Sequence, residues 1–152
     1  MAAEQGLANA QSDIGMYYDT GDGVAHDPTK AVNWFRKAAE QGAVEAQYNL
    51  GHCYTGGNGV AKNSVEAVKW FRRAAEQGNA EAQFFLGVFY RAGEGIPLNY
   101  AEAAKWHRKA AEQGIADAQI ELGRMYSSGQ GVPQDYQKAA ELFRKGCRTR
   151  QC

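Results

Sequence analysis

His52 beside Cys53 is the pairing in this chain that most invites a catalytic reading. A thiol nucleophile needs an imidazole within hydrogen-bond reach to take its proton. Both residues lie in a helical pattern, and neighbours on a helix diverge by about 100°, so the two cannot act as that pair. The other histidines, His26 and His107, hold no metal-ligand spacing to cysteine, histidine or carboxylate partners. Four glycine loops have the composition of phosphate cradles: Gly21-Asp22-Gly23-Val24, Gly57-Asn58-Gly59-Val60, Gly93-Glu94-Gly95-Ile96 and Gly129-Gln130-Gly131-Val132. Each follows a helix rather than a strand, and no Gly-Lys-Ser/Thr comes after it. The expectation is therefore a tight turn with positive φ at both glycines. Asp19 with Asp22 hints at a calcium loop, but the remaining EF-hand ligands are missing. The acidic residues spread over helix starts and exposed faces without a converging pair. No catalytic residue, metal or cofactor is assigned, and the chain is expected not to be an enzyme.

What positions these residues is a repeat. Ala-Ala-Glu-Gln-Gly occurs at 2–6, 38–42, 74–78 and 110–114, always 36 residues apart. Ala10-Gln11, Ile14-Gly15 and Tyr18 recur at the same interval. A fixed period of this size marks a solenoid, in which each unit buries its apolar face by stacking on its neighbours. Each unit carries two helical patterns. Helix A covers about 7–18, 43–54, 79–90 and 115–126. Its recurrent glycine costs about 1 kcal/mol in a helix interior, which suggests that a neighbouring helix approaches closely there. Helix B opens at Asp27, Asn63, Asn99 and Asp135, all strong N-caps, with Pro28 at the first helical position of the first copy. Asn63 with Glu66, and Asn99 with Glu102, have the spacing of capping boxes. Helix B stops at Gly42, Gly78 and Gly114, the expected left-handed glycine after a helix end. The predicted segmentation is a preceding-repeat tail at 1–6, repeats at 7–42, 43–78, 79–114 and 115–147, and a tail at 148–152. Gly146 is expected to end the last helix early.

The chain has 152 residues, with 17 basic and 17 acidic side chains. Zero net charge gives no bulk attraction to nucleic acid or anionic membrane, so neither is assigned as a partner. No apolar run approaches the roughly 20 residues of a membrane span. The N-terminus has the composition of a helix tail rather than a signal peptide. That leaves the compartment open: cytoplasmic, or secreted or periplasmic if an upstream signal has been removed. Cys53, Cys147 and Cys152 form no disulfide framework. Cys53 stands where other copies have Tyr17, Phe89 and Met125 and is expected to be a buried structural thiol. Cys147 and Cys152 could pair with each other, pair between chains or stay free.

Leu-Gly-x-x-Tyr in helix A, Gly-x-Gly-Val in the loop and Ala-x-x-Trp-Phe-Arg-Lys-Ala-Ala-Glu-Gln-Gly in helix B resemble the Sel1-like repeat, a relative of the tetratricopeptide repeat with a longer inter-helix loop. The resemblance covers about residues 7–147. It implies an all-α, right-handed α/α superhelical solenoid of four 36-residue helix–loop–helix repeats that serves as a scaffold for protein–protein contacts. Some bacterial members staple their units with disulfides, and this chain lacks those pairs. It departs from the pattern where Trp34 becomes Leu142, Phe71 becomes His107 and Ala38-Ala39 becomes Gly146-Cys147.

Relatives line their concave face with helix A. With Ile14 at the centre of the buried face, positions 9, 12 and 16 lie nearly opposite at 100° per residue. Across the copies these are Asn9, Glu45, Glu81 and Asp117; Ser12, Tyr48, Phe84 and Ile120; and Met16, His52, Val88 and Arg124. Tyr48, Phe84 and Ile120 are expected to form an apolar stripe facing solvent, rimmed by the acidic set on one side and by Arg91 and Arg124 on the other. Phe85 would widen the patch. Such a stripe suits a protein or peptide segment; the alternative is that the rings pack on an adjacent helix. The basic pairs Arg36-Lys37, Arg72-Arg73, Arg108-Lys109 and Arg144-Lys145 are expected to be a solvated helix face rather than an RNA stripe. The expected function is an interaction scaffold or adaptor. Its rivals are an end-to-end self-assembling array and a receptor for a small ligand or cell-wall fragment.

Overall fold

The computed structural model describes residues 2–150, with side chains described for 4–149. Among these residues the structure is eight helices: α1 (Ala2–Thr20), α2 (Pro28–Glu40), α3 (Val44–Gly56), α4 (Ser64–Glu76), α5 (Ala80–Ala92), α6 (Tyr100–Glu112), α7 (Ala116–Ser128) and α8 (Tyr136–Arg150). They group into two compact units, α1–α4 and α5–α8. Within each, helix A packs on its own helix B, and helix B on the next helix A.

The predicted caps form. Asp27, Asn63, Asn99 and Asp135 accept from the amides of Lys30, Glu66, Glu102 and Lys138 at 3.0–3.1 Å. The return half of the capping box is taken by another partner. Each cap residue's own amide donates to the carbonyl of Tyr18, Tyr54, Tyr90 or Tyr126 at 2.9 Å, which closes the loop. Glu66 and Glu102 turn instead to Lys69 and Lys105 one turn on. Both glycines of every loop have positive φ, as do Gly42, Gly78 and Gly114.

The helix-A glycine is a seat for a ring from its own helix B. A Cβ on Gly15 would stand 2.7 Å from Phe35, on Gly51 2.8 Å from Phe71, on Gly87 2.7 Å from His107 and on Gly123 2.9 Å from Phe143. Phe35, Phe71 and His107 are almost wholly buried, with Leu50 and Leu86 beside them. Trp70 is 4% exposed. Trp70→Ala should therefore cost about 3–5 kcal/mol in a chemical-denaturation experiment, as large-to-small core changes do. Tyr54, whose hydroxyl accepts from Arg36 at 3.1 Å, should cost a similar amount on truncation to Ala.

The Ala-Gln motif has a structural job that sequence reading did not assign. Gln11, Gln47, Gln83 and Gln119 accept from Gln41, Gln77, Gln113 and Thr149, each 30 residues on. Gln47 and Gln119 also donate to the carbonyls of Ala39 and Ala111 at the end of the preceding helix B. These amides, buried at Gln47, Gln83 and Gln119, tie each helix A to its own helix B, and α3 and α7 also to the end of the helix B before them.

Two expected boundaries differ. Gly6 does not end a helix, because α1 runs through it. Gly146 does not end α8 either, which continues to Arg150. A Cβ at 146 would meet Ile120 Cγ1 at 2.8 Å, so the glycine is an interior seat rather than a stop.

Candidate binding surface

The helix-A positions nominated for partner binding separate into three groups. Asn9, Glu45 and Glu81 are exposed and Asp117 is half-buried, close to expectation. Met16 and Arg124 are exposed, and His52 and Val88 are half-buried. The middle set departs from expectation. Ser12 is 6% exposed, and Tyr48, Phe84 and Ile120 are half-buried. Tyr48 meets Phe71 edge-on at 6.0 Å, Phe84 lies 5.5 Å from His107, and Ile120 packs where Gly146 leaves room. The geometric reason is that helix A is covered on two sides. Ala46, Leu50 and Cys53 in α3, and Ala118, Leu122 and Met125 in α7, are buried where these helices pack on the helix B before them, whereas Ala10 and Tyr17 of the first copy are exposed; each helix A's own helix B, seated on the glycine at 15, also covers position 12 one turn earlier. The more open edge runs along positions 9, 13 and 16, exposed at Asn9, Asp13, Met16, Glu45, Glu81 and Arg124 and half-buried in the remaining copies. Asp and Glu at positions 48 or 84 would have to be desolvated against Phe71 or His107, so such variants are not clean probes of binding.

In the first unit this edge forms a cleft of about 240 Å³ between α1 and α3. Met16, Asp19, Asn49, His52 and Asn58 line it above Phe35 and Cys53. Asn49 donates to the Met16 sulfur at 3.3 Å, and Asn58 to Asp19 at 3.0 Å. His52 stands edge-on to Tyr48 at 4.6 Å and to Phe71 at 5.2 Å, and burial holds its pKa below the usual value. It presents a neutral imidazole at neutral pH. Cys53 is 5% exposed, and burial, with the nearby Asp19 charge, pushes its thiol up to about 11. A thiol so held stays protonated and is a packing group, as its place in the repeat predicted. Asp19, Asn49 and Asn58 were missed as surface formers. No recurrence marked them: position 19 reads Asp19, Thr55, Arg91 and Ser127, and position 13 reads Asp13, Asn49, Phe85 and Glu121.

In the second unit the edge is built on charge. Glu121 receives Arg91 at 3.1 Å and Arg124 at 2.6 Å. The two arginines of the expected basic rim thus share one carboxylate and leave one net positive charge. Phe84 and Phe85 stack edge-on at 5.3 Å beside them. The helix-B basic pairs also have local roles. Arg36 and Arg108 donate to Tyr54 and Tyr126, and Lys37, Arg73 and Lys109 lie 4.6–4.8 Å from the rings of Trp34, Trp70 and Trp106.

Among the described residues no three His, Cys, Asp or Glu side chains come together as a metal site, and no helix is long and apolar enough to cross a membrane. Cys147 is exposed and forms no disulfide among the described residues. Cys152 lies outside the described residues, and with it any pairing between the two.

The Sel1 repeat family model matches residues 8–42, 44–79, 80–115 and 116–148. Comparison with curated proteins gives no match. Among solved structures, a protective antigen of uropathogenic Escherichia coli displaying an SLR fold shares 41% identity at a TM-score of 0.90, over 97% of this chain and 32% of that one. A Sel1 repeat protein from Oxalobacter formigenes shares 44% identity at 0.88, over 93% of this chain and 58% of that one. Cysteine rich protein B of Helicobacter pylori shares 26% at 0.64, over 82% of this chain and 89% of that one. The chain thus spans about a third of the first relative's length and under three fifths of the second's. With four consecutive family matches and the helical-repeat solenoid fold of these relatives, the chain belongs to the Sel1 repeat family.

Proposed function

We propose that this chain binds a protein or peptide segment along the outer edge of its A helices. Sel1 repeats are, as a class, non-catalytic scaffolds for protein–protein contacts. The observation that carries the finer reading is the contrast along helix A. Positions 11 and 15, which bond to or seat against other helices, are Gln and Gly in every copy, while positions 13 and 16 change freely. Position 13 reads Asp13, Asn49, Phe85 and Glu121, and position 16 reads Met16, His52, Val88 and Arg124. Asp13, Met16 and Arg124 are exposed, so their identity is available for recognition. The first unit offers a polar cleft with one exposed apolar side chain, Met16, suited to a side-chain anchor. The second offers Phe84 and Phe85 beside Arg91 and Arg124, an apolar patch with charges that would set register.

The test is affinity capture by wild type and by the double variant Met16→Lys, Arg124→Glu, both at exposed sites, with melting curves confirming that both forms are folded. A protein retained by wild type and lost by the variant is the expected result. Identical captures by both folded forms would sink the assignment of this edge.

A further inference from the structure

We propose that a second site lies on the helix-B side of the last repeat, where an empty seat takes a tryptophan side chain presented by a partner polypeptide. The inference is independent of the helix-A edge. Position 34 of the repeat is Trp34, Trp70 and Trp106 in the first three copies and Leu142 in the fourth. Trp70 and Trp106 are 4% and 7% exposed, so the register position is an indole seat. In each of these copies a cation three residues on stands over the ring: Lys37 at 4.7 Å, Arg73 at 4.8 Å and Lys109 at 4.6 Å.

The fourth copy keeps the seat and lacks the ring. A cavity of about 240 Å³ opens between α6, α7 and α8, with Ala111, Leu122, Tyr126 and Leu142 as its apolar lining. Lys145, the register equivalent of Lys37, Arg73 and Lys109, lines it with no indole beneath. Part of the frame is that of the filled seat: Arg108 donates to Tyr126 at 3.1 Å just as Arg36 donates to Tyr54 in the repeat that holds Trp70. An indole that enters would meet apolar walls and a waiting cation, which is the combination that favours Trp over other rings. Glu141 stands where the first copy has Asn33 and the next two have Lys69 and Lys105 over their rings; it puts a carboxylate on the same lining and would accept from the indole N–H or a neighbouring amide.

The experiment titrates the peptide acetyl-Gly-Ser-Trp-Ser-Gly-amide, and its Trp→Ala counterpart, into protein carrying labelled leucine methyl groups. Expected are saturable shifts of Leu122 and Leu142 with the Trp peptide and none with the Ala peptide. Leu142→Trp should fill the seat, raise the melting temperature and abolish the titration. Lys145→Glu, at an exposed position, should weaken binding several-fold while the melting curve stays in place. The Met16→Lys, Arg124→Glu variant should bind the peptide like wild type, which separates this site from the helix-A edge. Equal responses to both peptides, or a Leu142→Trp protein that melts lower than wild type, would overturn the seat. Free N-acetyl-tryptophan amide binding as tightly as the peptide would make this a small-molecule site and overturn the polypeptide partner.

Discussion

Acidification from pH 6.5 to 4 should destabilise this protein by about 3 kcal/mol through His107 alone. The residue occupies the ring seat that phenylalanine fills at 35, 71 and 143, and it is wholly buried. Its imidazole rests on Gly87, with the Phe84 ring 5.5 Å away, and neither ring nitrogen has a hydrogen-bond partner. Burial, reinforced by the charge of Arg91, pushes its pKa from 6.5 down to about 4. Between those values the unfolded chain binds a proton that the folded chain refuses. The stability is therefore fully present above pH 6.5 and is lost as pH falls toward 4. His107→Phe should remove that slope. It should also raise stability at neutral pH, because two buried nitrogens without partners carry a desolvation cost of about 1–3 kcal/mol each. Phe71 shows that a phenyl ring fits, since it lies on Gly51 with the same geometry. Denaturant midpoints measured at half-unit intervals from pH 4 to 7.5 would decide it. Parallel profiles for wild type and variant would remove His107 as the source.

Gly59→Ala should cost about 3–4 kcal/mol, while the same change at the equivalent Gly23 should cost only about 1 kcal/mol. Both glycines are the second of a Gly-x-Gly loop, with φ of +70° and +75°. Both variants therefore meet the left-handed backbone penalty. The surroundings differ. Around Gly23 nothing lies within 4 Å of an added Cβ. At Gly59 that carbon would fall on the carbonyl of Pro28, backbone at the capped start of α2 that cannot turn aside like a flexible side chain. Either the loop or α2 must shift, and the contact between the first two repeats loosens. Thermal or denaturant unfolding of the two variants side by side separates the terms. Equal losses at both positions would mean that only the φ preference matters.

Helix ends were legible because they are written in local chemistry. Asp27, Asn63, Asn99 and Asp135 cap their helices, and Gly42, Gly78 and Gly114 take the left-handed turn. The core was legible because Ala31, Phe35, Ala38 and their counterparts repeat at helical spacing, and repetition at fixed register is itself evidence of a common environment. The nominated surface was legible in part. A helical wheel drawn about Ile14 assumes one buried face, which holds for a helix lying on a single layer. Here a second face is covered by the ring on Gly15, Gly51, Gly87 or Gly123, so Ser12 is buried and Tyr48, Phe84 and Ile120 are half-buried, while Asp13, Met16 and Arg124 stay exposed. The glycine carried that information, since it announced a close approach. Which helix approached, and over which turn, depends on the packing angle.

By itself the sequence determined the period, the eight helices, their caps and turns, and the family, because each rests on residues within a few positions of one another or on a spacing repeated without interruption. Tertiary structure decided which side chains of helix A stay open. Position 12 lies nearly opposite Ile14 on a helical wheel, yet Ser12 is buried and Tyr48, Phe84 and Ile120 are half-buried, because a ring of the following helix B is seated on the glycine three residues on. The wheel depends only on 100° per residue along one helix, whereas the second covered face depends on how two helices, distant in sequence, cross.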